Sequence, residues 1–115
     1  MAHSNEFIEY LLELLEQTGE VKARAMFGGY GIYQHGIMFA LVTDDALYLK
    51  TDEGNLADFE ERQLQPFRYE RNGKQLSMSY SEAPGEVLDD PDEMIVWARK
   101  AINAARRSAM KKRAR

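Results

Sequence analysis

Residues 24–33 read Arg24-Ala25-Met26-Phe27-Gly28-Gly29-Tyr30-Gly31-Ile32-Tyr33, placing three glycines inside four positions with aromatic residues around them. Such a run either cradles a phosphate or forms a strand whose backbone is approached closely by a neighbour. The phosphate reading fails on its parts. Gly31 and Gly36 have the separation of a P-loop, but Ile37-Met38 stand where a Lys-Ser/Thr pair must reach phosphate and magnesium. Gly29-x-Gly31 begins a dinucleotide fingerprint, and Gln34 then occupies its third glycine position. Both motifs also need a helix after the glycines to offer amides to the anion, whereas the alternation of Tyr30 and Ile32 with Gly31 and Tyr33 predicts a strand. The run therefore reads as structural. Glycine inside a strand marks a bulge, a bend or a close backbone contact, and Phe27, Tyr30 and Tyr33 are expected to cover the glycines across the ladder.

Working outward, the period is helical before this run and two-fold after it. Ser4 predicts a cap for a helix starting near Asn5, with Phe7, Ile8, Leu11, Leu12 and Leu15 on one side and Gly19 as its stop. From Ala25 to Lys50 the pattern predicts three antiparallel strands, separated by the turn-like pairs His35-Gly36 and Asp44-Asp45. Asn55 is placed to cap a short helix reaching about Leu64, with Leu56 and Phe59 inward and Pro66 closing it. Residues 67–70 and 75–80 form a second hairpin around Asn72-Gly73, a pair suited to the two positive-φ positions of a type I′ turn. A last helix opens with Asp90 as N-cap and Pro91 at its first position, and carries Met94, Ile95, Ala98, Ala101, Ile102 and Ala105 as an apolar stripe. The expected fold is α+β, an antiparallel five-stranded sheet in the order α-β-β-β-α-β-β-α, with one domain over residues 5–105 and a basic helix end or tail over 106–115.

Composition narrows the function classes. A chain of 115 residues suffices for one domain with a core of its own. It has no cysteine, which removes disulfides, thiolate nucleophiles and Cys-based zinc sites. No signal-peptide pattern is present, and the apolar stretch Ile37 to Val42 is far short of a membrane span, so a cytoplasmic protein without membrane contact is expected. Net charge is −4, unevenly spread. Arg106, Arg107, Lys111, Lys112, Arg113 and Arg115 put six of the fifteen basic residues in the last ten positions; residues 1–105 keep nine against nineteen acidic, a net of −10. An acidic body argues against a nucleic-acid face on the domain and leaves only the tail for such contacts.

No catalytic set assembles from recognisable parts. His3 and His35 have no sequence partner, and no serine stands in a nucleophile elbow. Asp89, Asp90, Asp92 and Glu93 lack calcium-loop spacing and are explained by helix capping. Neither metal nor cofactor is expected. Lys22, Arg24 and Lys50 are read as surface charges, with a small positive spot at Arg24 and Lys50 as the alternative. Met26, Met38, Met78 and Met94 are read as core in preference to a flexible recognition surface.

The block Arg24-x-Met26-Phe27-Gly28-Gly29-Tyr30-Gly31-Ile32-Tyr33, followed by Phe39-Ala40, Tyr48-Leu49-Lys50, Met78-Ser79-Tyr80 and a closing Asp90-Pro91 helix, resembles the TfoX N-terminal domain family. The resemblance runs from about residue 5 to 105. It implies an α+β fold similar to secretion chaperones, a bacterial regulator of the competence type acting as a transcriptional coactivator, and no catalytic residues. Those regulators carry a second, helical domain, where this sequence continues into a basic helix end.

The sequence thus predicts a non-enzymatic interaction module that binds a protein partner or itself. Arg24, Met26, Phe27, Gly28, Gly29, Tyr30, Gly31, Tyr33, Lys50 and Tyr80 are its candidate contact residues. The first alternative is a nucleic-acid-associated factor using Arg106, Arg107, Lys111, Lys112, Arg113 and Arg115. The second is a small-ligand domain with a cavity lined by Arg24, Lys50 and a tyrosine.

Overall fold

Three two-residue turns with left-handed backbone send the middle of the chain back and forth. They are His35-Gly36 (φ 52° and 78°), Asp44-Asp45 (52° and 57°) and Asn72-Gly73 (55° and 76°). Two successive positive φ values match the right-handed twist of the flanking strands, and Gly, Asn and Asp tolerate them best. The computed structural model describes residues 2–26 and 28–113. Helix α1 covers Ala2–Leu15, and strands β1 to β4 cover Lys22–Met26, Gly29–Gln34, Ile37–Thr43 and Ala46–Lys50. Helix α2 (Leu56–Glu61), strands β5 (Pro66–Arg71) and β6 (Lys74–Glu82) and helix α3 (Pro91–Arg113) follow. The six strands form one antiparallel sheet in the order β1-β2-β3-β4-β6-β5.

Where the sequence predicts three strands between residues 25 and 50, the structure has four, so the sheet has six strands and not five. The reason is Gly28. Its φ of 76° places it in a turn that pairs Met26 with Gly29, so the glycine run is a hairpin and not one bent strand. Lys22–Met26, with small and charged residues that give little apolar signal, becomes an edge strand. Helix α1 begins ahead of Ser4, which therefore lies inside its first turn and not at its cap. Leu56 is exposed, since α2 ends at Glu61 and turns only Phe59 into the core. The C-terminal helix opens as the sequence predicts, with Asp90 Oδ1 accepting from the Asp92 amide at 3.0 Å.

The core lies on one side of the sheet. Ile8, Leu11 and Leu15 of α1, Phe59 of α2, and Met94, Trp97, Ala98, Ala101, Ile102 and Ala105 of α3 pack with Ile32, Phe39, Ala40, Val42, Leu47 and Leu49. A register shift pairs Ile32 with Ala40 but Tyr33 with Met38, so Phe39 is an extra residue and joins Ala40 in the core. Phe59 meets Trp97 edge to face at 5.0 Å.

Gly29 and Gly31 serve the sheet in different ways. A Cβ on Gly29 would run into the carbonyl oxygen of Val42, a backbone atom. A Cβ on Gly31 would first meet the sulfurs of Met26 and Met38, both at 2.7 Å, and then the Tyr33 ring. Thioether ends move easily, whereas a ladder carbonyl does not. Gly29→Ala is accordingly expected to cost about 1–3 kcal/mol of stability and Gly31→Ala less than about 1 kcal/mol, as read by urea unfolding of the two variants.

Candidate functional site

Ladder register sorts the remaining side chains onto the opposite face. Arg24 pairs with Gly31, Gly31 with Leu41, Leu41 with Tyr48, and Tyr48 with Glu82, which defines one outward row. Lys22 pairs with Tyr33, and Lys50 with Tyr80, in the adjoining row. All three helices feed the inward core, so this outward face has no helical cover among the described residues. Its surface is mostly apolar. Tyr69 and Met78 are each 36% exposed, while Met26, Tyr33, Met38, Tyr48 and Phe67 are half-buried. A contiguous apolar patch of this kind on a small domain marks an interaction site.

The rings and cations of the face hold one another in place. Phe67 stacks on Tyr69 with centroids 6.2 Å apart and takes the edge of Tyr48 at 5.0 Å. Arg24 lies over the Tyr33 ring at 5.7 Å, and the Tyr33 hydroxyl reaches the Met26 sulfur at 3.9 Å. Lys50 lies over the Tyr80 ring at 5.2 Å and donates to Ser79 Oγ at 2.6 Å. Burial lowers the Lys50 pKa, Lys112 lowers it further, and Asp52 opposes both. Burial pushes the Tyr80 phenol up to about 12, with a contribution from Tyr33, so it stays protonated and donates to the Met38 carbonyl at 3.4 Å. The Tyr48 phenol is raised by burial and by Glu82 and Asp44.

Most candidate contact residues of the glycine segment meet on this face. Arg24, Met26, Gly29, Gly31, Tyr33, Lys50 and Tyr80 all occupy outward positions. Tyr30 pairs with Val42 and packs against the core on the other side. Gly28 forms the hairpin, and Phe27 lies outside the described residues. Arg24 and Lys50 do not form one positive spot; two strands separate theirs, and each cation sits on its own tyrosine. A groove of 460 Å³ beside β1 is lined by Arg24, Tyr33, Lys22, His35 and Glu20, without Lys50.

Sequence reasoning missed Leu41, Tyr48, Phe67 and Tyr69, and it misplaced three methionines. Met94 is in the core, but Met26 and Met38 are half-buried on the open face and Met78 is exposed there. A signal was present: Phe39–Val42 and Leu47-Tyr48-Leu49 are apolar at both parities, as strands with two apolar faces must be.

The basic C-terminal stretch continues α3, and three of its six cations are engaged within the molecule. Arg107 grips Asp52 with two bonds of 2.6 and 2.8 Å, Lys111 reaches Glu53 at 3.6 Å, and Arg106 donates to Gln34 Oε1 at 3.3 Å. Asn55 holds the receiving loop, accepting from the Asp52 amide and donating to the Lys50 carbonyl at 2.8 and 3.0 Å. Lys112 and Arg113 have no ion-pair partner among the described residues, and Arg115 lies outside them. Among the described residues no cluster of three acidic or histidine side chains is set to hold a metal, and no helix is long and apolar enough to cross a membrane.

A family model described as the TfoX N-terminal domain matches residues 13–105. The chain belongs to that family. It is similar to "DNA transformation protein TfoX1" of Aliivibrio fischeri, with 26% identity over 98 residues, or 85% of this chain and 47% of that protein. The chain thus spans about half the length of this relative.

The Arg107 hydrogen bonds are the largest cause that brings the Asp52 carboxyl down to about 2. A depressed folded-state pKa gives stability that is complete above the ordinary carboxylate range and is lost as pH falls through about 2. Asp52→Asn is expected to remove about 1 kcal/mol at neutral pH and low salt, and to cost progressively less toward pH 2, by thermal unfolding across pH.

Proposed function

We propose that this protein is a non-enzymatic regulatory cofactor that acts by docking a partner protein on its open sheet face. The observation that carries the reading is the face itself: five aromatic rings and three methionines across the strands, with the helices of the described residues on the opposite side. Interfaces are enriched in tyrosine, phenylalanine and methionine, and flexible thioethers adapt to a partner's shape. Membership of the TfoX N-terminal family and the likeness to a DNA transformation protein support a role in regulating competence. The pairing of Arg106, Arg107 and Lys111 within the molecule favours protein contacts over nucleic-acid contacts through the basic helix end.

The test replaces the matching half of the Aliivibrio fischeri relative with this chain and measures transformation frequency. The chimaera is expected to restore transformation. With Tyr69→Glu and Met78→Glu together it is expected to lose at least about tenfold, since interface charges on an apolar patch cost binding, while its melting temperature stays close to the parent. A folded chimaera that never restores transformation would sink the regulatory reading, and a double variant with full activity would sink the choice of surface.

A further inference from the structure

The geometry points to an acidic amphipathic segment of a partner protein as the occupant of the open sheet face. This rests on the reading of that face as the docking surface, and it adds the chemistry of what docks there.

Charge complementarity carries the argument. The chain as a whole is acidic, with a net of −4, yet the outward positions of β1, β4 and the β5–β6 hairpin present Lys22, Arg24, Lys50, Arg71 and Lys74, against Glu82 beside Tyr48, Asp44 acting on the same ring, and Glu20 in the groove beside β1. The cations stand at the rim of the apolar patch. Lys22 and Arg24, two cations against the single carboxylate of Glu20, line the 460 Å³ groove beside β1 together with the Tyr33 ring, which also borders the methionines. A segment laid across the face would therefore set apolar side chains on Met26, Met38 and Tyr33 and bring its carboxylates to Lys22 and Arg24. Such rim cations steer encounter and select partners by sign.

The same observations disfavour the other occupants. A second copy packed face to face would use the same patch twice and bring no more carboxylates to the cations than this face itself carries. Single-stranded nucleic acid would be drawn by the cations but needs free ring faces for its bases. Here Arg24 already lies over Tyr33, Phe67 and Tyr69 stack on each other, and Tyr80 is only 5% exposed.

Fluorescence anisotropy of the full chain against three labelled probes tests this. The probes are a short amphipathic peptide with leucine on one face and glutamate on the other, the same peptide with lysine for glutamate, and an oligothymidylate. The glutamate peptide is expected to bind at least about tenfold tighter than the lysine peptide. Lys22→Glu with Arg24→Glu should abolish or reverse that preference, and Tyr69→Glu with Met78→Glu should weaken both peptides. Circular dichroism melting of each variant confirms that it is folded. Equal affinity for the two peptides, a preference that survives the charge reversal, tighter binding of the oligothymidylate, or no binding of any probe would each overturn the proposal. So would sedimentation showing a dimer dissolved by Tyr69→Glu with Met78→Glu. If the probes fail while the chimaera remains sensitive to that double variant, the docking surface stands and only the acidic partner is refuted.

Discussion

The alanine stripe of α3 pressed onto strands β3 and β4 is the contact around which the molecule is arranged. Ala98 and Ala101 are fully buried, and their small side chains let the helix lie close over β3 and β4, whose Phe39, Ala40 and Leu49 share the same core. Close seating excludes water from the large residues beside them, Trp97, Met94 and Ile102, and burial of such side chains is the main favourable term in folding. Helix α1 and the single inward ring of α2, Phe59, complete the same layer.

That one-sided arrangement creates the functional question. Strands β3 and β4 are apolar on both faces, but the helices cover one. The uncovered side is kept compatible with water by its own packing. Arg24 and Lys50 lay their stems and charges over Tyr33 and Tyr80, each such contact worth about 0.5–1 kcal/mol where exposed. Phe67, Tyr69 and Tyr48 bury part of one another. Gly29 and Gly31 make room on this face, the first for the backbone of β3 and the second for methionine sulfurs. The glycine run thus shapes an adaptable surface.

The basic end of α3 has a parallel logic. Read along the chain, six positive charges in ten positions look like a tail for polyanions. In the fold, the loop after β4 brings Asp52 and Glu53 under that end, and Asn55 fixes the loop to receive Arg107. Much of the cluster is thereby turned to holding the helix end against the sheet, leaving Lys112 beside Lys50.

Local chemistry made much of this legible in the sequence. Asp90-Pro91 set the start of α3, Asn72-Gly73 and His35-Gly36 set their hairpins, and the pattern of residues 24–33 with its later echoes marked the family. These are properties of a few neighbouring residues, where capping and positive φ act without help from distant contacts. Gly28 shows the limit, because whether a glycine bends a strand or turns it depends on a partner strand that the sequence does not locate. The open face lay beyond that limit for the same reason. Apolar residues at both parities show that a strand has two apolar sides, but which side a helix covers is decided by packing between residues far apart in the chain. Only the tertiary structure put Met38, Tyr48 and Phe67 on the uncovered side, the face that also carries Arg24 and Lys50.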